Sequence, residues 1–124
     1  MEYITKQLSP IIDHIAPDGS EIRLLPAMKG GGLAHCTLHP ARTSQAVVHK
    51  TVEEIWLFLQ GQGQVWRKQG EQEEVVDVYP NLSLTIPTGT HFQFRNTGDV
   101  PLCMIIVTMP PWPGPDEAIS VANH

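Results

Sequence analysis

The stretch His49-Lys50-Thr51-Val52-Glu53-Glu54-Ile55-Trp56-Leu57-Phe58-Leu59-Gln60-Gly61-Gln62-Gly63 decides the fold. Its centre, Ile55 to Leu59, is a run of strong β-formers bounded by polar residues on one side and a glycine-rich turn on the other, which predicts a strand entering a hairpin. Working outward, a second stretch has the same grammar. Ile86 to Thr90 reads as a turn built on Pro87 and Gly89, and His91-Phe92-Gln93-Phe94-Arg95-Asn96 alternates as a short strand before the turn Thr97-Gly98-Asp99.

Further out, short apolar segments recur between turn residues: Glu21 to Leu25, stopped by Pro26; Leu33 to Leu38; Gln64 to Gln69; Glu73 to Tyr79; Leu82 to Ile86; and Leu102 to Met109. Gly30-Gly31-Gly32 reads as a flexible loop between the first two. About eight or nine strands at this spacing predict a sandwich or barrel, with no helix and no internal repeat. Met1 to Ser20 has no sustained period and reads as an N-terminal arm lying across the domain. Pro110-Pro111-Trp112-Pro113-Gly114-Pro115 opens a proline-rich extension over residues 110–124, with Trp112 docked on the body and Asp116 to His124 partly disordered.

The 124 residues fit one domain spanning 1–124, and a hydrophobic content of 41% with 10 glycines and 11 prolines suits a turn-rich all-β protein. A net charge of −5 with eight scattered basic residues argues against nucleic acid. The longest apolar run, Leu102 to Met109, falls far short of the about 20 residues that span a bilayer, so no membrane role is expected. Nothing at the start resembles a secretory leader, so a cytoplasmic protein with reduced Cys36 and Cys103 is expected.

The two motif stretches resemble the paired motifs of the cupin superfamily, of the small stand-alone kind likened to sugar-phosphate isomerases such as mannose-6-phosphate isomerases. In the first motif, H-x-H followed by E and then G, His49, Glu54 and Gly61 stand at matching spacings, and Val47 occupies the position of the first histidine. In the second, P-x-G followed by H and then N, Pro87, Gly89 and Asn96 match, Phe92 occupies the histidine position, and His91 comes one residue early. The resemblance implies an all-β double-stranded β-helix, or jelly-roll, cupin barrel. It also implies that His49 points into the barrel beside Glu54.

If alternation holds from Glu54, then Glu54, Trp56 and Phe58 point inward together. An imidazole and a carboxylate suit Zn, Fe, Ni or Mn, and a third donor would complete a mononuclear site of two histidines and one carboxylate. His91 is the first candidate for that donor, and His35 on a neighbouring strand is the other. A one-residue offset sends a strand side chain to the opposite face, and the sequence supports either register: Phe92 and Phe94 inward with His91 out, or His91 inward. Trp56, Phe58, Trp66, Phe92 and Phe94, with His35, are the expected pocket residues.

Two functions follow. The first is a small-molecule-binding cupin with one divalent metal as Lewis acid and Glu54 assisting proton transfer, in isomerase, epimerase or oxygenase chemistry. The second is a metal-free ligand-binding or accessory cupin, favoured by Val47 and Phe92 at two donor positions. Plainer still, His49 to Glu54 would be a solvated loop. Finally, Ile55, Leu57 and Leu59 oppose Trp56 and Phe58, and Cys103, Ile105 and Val107 oppose Leu102, Met104 and Ile106, so both faces need cover, the outer one from a partner subunit or the N-terminal arm, and a homodimer is expected.

Overall fold

The strand running out of the first motif sets the frame. In the computed structural model, which describes residues 2–124, β5 (Glu53–Gln60) alternates strictly, with Glu54, Trp56 and Phe58 buried and Ile55, Leu57 and Leu59 facing out. On one side it pairs with β8 (Ser83–Ile86), and on the other with β10 (Leu102–Met109), in a register that sets Thr108 opposite Glu54 and Ile106 opposite Trp56. Beyond β10 come β3 (Gly31–Leu38), β2 (Glu21–Met28) and the two-residue β1 (His14–Ile15), completing a six-stranded antiparallel sheet.

The facing sheet has five strands in the order β11 (Ala118–Ser120), β4 (Val47–His49), β9 (His91–Asn96), β6 (Gly63–Gln69) and β7 (Gln72–Val78). The two antiparallel sheets form a double-stranded β-helix. Its core joins Trp56, Phe58, Met104 and Leu38 from the first sheet to Phe92, Phe94, Val65 and Val78 from the second. A buried side chain of this size contributes about 1.5–3 kcal/mol by leaving water, so this single two-sided cluster is the main source of stability.

Two motif glycines stand where the sheets pinch together. Gly61 has φ +85°, and a Cβ there would lie 2.6 Å from the carbonyl oxygen of Pro101. A Cβ on Gly63 would run into the carbonyl oxygen of Arg95. The motif asparagine has an equally local job. Asn96 Nδ2 donates to the carbonyls of Leu38 and Val100, and its Oδ1 accepts from the Gly98 amide, locking the turn before β10.

Several boundaries differ from expectation, each for a physical reason. β2 does not stop at Pro26 but runs to Met28, because its register with β3 slips between Leu24 and Ala27 and a bulge accommodates the missing amide. Only Gly30 of the glycine triplet stays in the turn: β3 already begins at Gly31, where a Cβ would lie 3.1 Å from the carbonyl oxygen of Thr108. Residues 116–124 are ordered in place rather than loose, since β11 pairs with β4 and the ring of His124 stacks on Trp66 at 5.3 Å. A 3-10 turn, Pro115–Glu117, leads into β11.

Arg23 donates to the carbonyls of Ser9 (2.9 Å) and Pro10 (3.1 Å), and the Leu24 amide to Asp13 (2.8 Å), which fixes residues 9–13 along the β2 side of the six-stranded sheet. On the β5 side the outer face is bare: Ile55, Leu57 and Leu59 are 44%, 41% and 44% exposed. Among the described residues, no helix is long and apolar enough to cross a membrane.

Candidate functional site

His49 and Glu54 come from different sheets. His49 ends β4 and Glu54 sits at the start of β5, so Lys50 to Val52 carry the chain across the gap between them. What holds that crossing is Glu117, whose buried carboxylate accepts from the Thr51 amide (2.6 Å), the Thr51 hydroxyl (2.6 Å) and the Val52 amide (3.0 Å). The Lys50 amide adds a bond to the Glu117 carbonyl at 3.1 Å. Burial alone would raise the Glu117 carboxyl, but these three donors outweigh it and hold the carboxyl below its ordinary value.

Across the gap, Glu54 is clamped at both oxygens. Trp56 Nε1 donates to Oε1 (3.0 Å) and the Thr108 hydroxyl to Oε2 (2.7 Å). Burial pushes this carboxyl above its ordinary value, opposed by those two bonds and assisted by the charge on Glu117. His49 Nδ1 lies 4.0 Å from Glu54 Oε1, too far for a hydrogen bond, and this buried nitrogen has no partner. Burial lowers the affinity of the imidazole for a proton, only partly offset by Glu117 and Asp18, so His49 is neutral at pH 7. The ring stands edge-on to Phe92 (centroids 5.0 Å) and Trp112 (5.3 Å).

These groups face a cavity of about 90 Å³ between the sheets, enough for about three waters. Its walls are mostly apolar, drawn from Val47, Trp56, Phe92, Ile106 and Trp112, and its polar side carries Asp18, His49 and Glu54. Asp18 Oδ1 accepts from both the amide (2.9 Å) and hydroxyl (2.6 Å) of Ser20. Burial raises the Asp18 carboxyl, the Ser20 bonds oppose this, and the Glu54 charge raises it further. A carboxyl above its usual range beside a neutral imidazole with a free nitrogen is an arrangement that can accept, donate or exchange one proton.

Of the expected site residues, the structure brings together His49, Glu54, Trp56 and Phe92. Phe58 and Phe94 do not line the cavity; they pack beneath it, edge-on to Trp56 at 6.2 and 5.3 Å. Three expectations are corrected. His91 pairs with Val48 and Lys68 on the outward side of β9, because Phe92, paired with Val47, takes the inward position. His35 faces away from the core under residues 8–10, in register with Arg23 and Ile105, while its neighbours Ala34 and Cys36 point in. Trp66 lies on the outer face of its sheet, donating to Glu73 (2.9 Å) and stacking on His124. The same alternation separates the cysteines: Cys36 points into the core and Cys103 away from it, and both are free thiols.

Over residues 34–108 the chain matches the family model described as Cupin domain. The chain belongs to the cupin family. Solved structures agree on the fold of this cupin. BH2720 from Bacillus halodurans has a TM-score of 0.69 at 20% identity, covering 82% of this chain and 76% of that one. KdgF from a Halomonas species gives 0.68 at 13%, covering 81% and 87%, and the CENP-C domain of Drosophila melanogaster gives 0.70 at 16%, covering 79% and 71%. At these identities the likeness carries the fold alone. No curated protein matches the sequence.

Metal binding is common among cupins, but the donors of this cupin do not fit it. Val47 and Phe92 present apolar groups where two donors are needed, and His91 is on the wrong face. Among the described residues, no three His, Cys, Asp or Glu side chains gather closely enough to hold an ion. The sequence reading missed Asp18, Thr108 and Glu117. Asp18 stands in Asp18-Gly19-Ser20, which reads only as a turn, and the other two take their roles from partners about fifty or more residues away.

Proposed function

We propose that this cupin binds one compact, largely apolar small molecule in the cavity between its sheets, without a metal. The observation that carries the reading is the buried, unpartnered Nδ1 of His49 on a cavity whose other walls are aromatic and aliphatic. A buried nitrogen without a partner costs about 1–3 kcal/mol, and a ligand group bonded to it would recover that cost. Glu54, with its oxygens tied to Trp56 and Thr108, shapes and polarises the polar side. The isomerase, epimerase and oxygenase chemistries expected of a metal gain no support from this donor set.

Elemental analysis of protein purified without a chelating tag tests the reading. The expected content of Zn, Fe, Ni and Mn is far below one per chain, with no rise in melting temperature when each is added. Stoichiometric metal that is lost in both His49→Ala and Glu54→Ala would overturn it.

The bare apolar band of Ile55, Leu57 and Leu59, continued on β10 by Ile105 and Val107, supports a homodimer with this face against its own copy. Light scattering at micromolar protein is expected to give twice the chain mass, and Leu57→Glu to give the monomer. A wild-type monomer under those conditions would refute the pairing.

A further inference from the structure

The charges around the cavity narrow the ligand further, on the footing of the binding reading above. The titratable side chains that line it are His14, Asp18, His49 and Glu54, and neither a lysine nor an arginine is among the lining residues. Behind this wall stand Glu117, under the His49 side, and Cys36, a buried thiol pushed well up by its burial and by the Asp18 charge. Among the described residues that line the cavity, the acidic groups therefore face no lysine or arginine. A phosphate or carboxylate ligand would meet two carboxyl groups with no compensating cation, in a setting where desolvation makes unpaired charge costly.

An ammonium meets the opposite situation. It has three N–H donors, and the two carboxyls on the polar side of the cavity have lone pairs still open. Both Ser20 bonds fall on Asp18 Oδ1, leaving Oδ2 for another donor. Each Glu54 oxygen accepts one bond and has a second lone pair. His49 is neutral and its Nδ1 is unpartnered although the residue is only 5% exposed. The remaining walls suit the same ion, since Trp56 and Phe92 stand edge-on to one another at 5.4 Å and Trp112 closes the side beside His49, so aromatic surface borders the polar groups. Aromatic faces attract a desolvated cation.

We propose that the ligand of this cupin is a small protonated amine, its ammonium held on the carboxyl side of the cavity by Asp18 and Glu54 and its apolar part by Trp56, Phe92 and Trp112. Binding would also ionise the two buried carboxyls, whose neutral forms burial otherwise favours. Protonation of those carboxyls removes the charge that holds the cation, so affinity should weaken in acid.

Three small probes of one shape test this on the full chain: n-propylamine, 1-propanol and propionate, followed by tryptophan fluorescence or calorimetry at pH 7.5. The amine is expected to bind at least about tenfold more tightly than the alcohol, as one charge-assisted bond and one cation–aromatic contact together require. Propionate should be the weakest. In Asp18→Asn and Glu54→Gln the ratio of amine to alcohol affinity should fall, with circular dichroism reporting that the variants are folded. Amine binding no tighter than the alcohol, or propionate binding tightest, would overturn the amine assignment and leave the binding reading standing. No binding by any of the three would overturn both.

Discussion

Trp56→Ala is expected to cost about 3–5 kcal/mol of stability, measured as a shift in the urea midpoint. The indole is 1% exposed and is the hub where the sheets meet, with ring centroids 5.4 Å from Phe92, 5.3 Å from Phe94 and 6.2 Å from Phe58. Removing it opens a void among rings that cannot collapse, because Phe58 is fixed on β5 and Phe92 and Phe94 on β9. It also deprives Glu54 Oε1 of its donor. Trp56→Phe separates the two contributions. It keeps most of the packing and loses the N–H, so about 1–2 kcal/mol should remain as the cost of the unpaired carboxyl oxygen. A Trp56→Ala midpoint close to that of the wild type would mean that the two sheets do not depend on this contact.

Glu117→Ala should be nearly as damaging, at about 3 kcal/mol near neutral pH, since it leaves two backbone amides and a hydroxyl without their acceptor at a buried crossing. The pH dependence distinguishes this from lost packing. The folded-state pKa of Glu117 lies below its ordinary value, so the unfolded chain takes up the proton first as pH falls. The stabilisation is therefore fully present above the ordinary glutamate value of about 4.3 and fades as pH drops through the lower folded value. Urea midpoints of wild type and variant should be well separated at pH 7 and draw together near pH 3. A gap that stays constant across that range would refute the account. Because Lys50 to Val52 carry His49, the His49 ring resonances should also move in Glu117→Ala.

These effects show where sequence reasoning reached and where it stopped. The strand from Glu53 to Gln60 was legible because alternation over eight residues has one structural meaning, and the glycines and asparagine of the motifs were legible because their spacing is rigid. His91 and Phe92 could not be separated in the same way. The choice between them is a one-residue register, set by Phe92 pairing with Val47 and Phe94 with Val65 on two different neighbours, and such pairing is not encoded in the β9 segment itself. For Trp66 and His35 the residue type suits a pocket, but whether an aromatic or an imidazole faces in or out depends on the strands it pairs with.

By itself, the sequence determined a turn-rich all-β sandwich or barrel and the alternation that sets Glu54, Trp56 and Phe58 inward, because short stretches of chain specify local periodicity and turns. The resemblance of its motifs to those of cupins implied the double-stranded β-helix and the imidazole beside the carboxylate. Only the tertiary structure decided that Asp18 from the first turn, Thr108 from the last long strand and Glu117 from the proline-rich extension converge on that pair, and that no lysine or arginine joins them. Convergence of segments up to about a hundred residues apart depends on the closing of two sheets on one another, and the charge inside a cavity exists only once its walls have met.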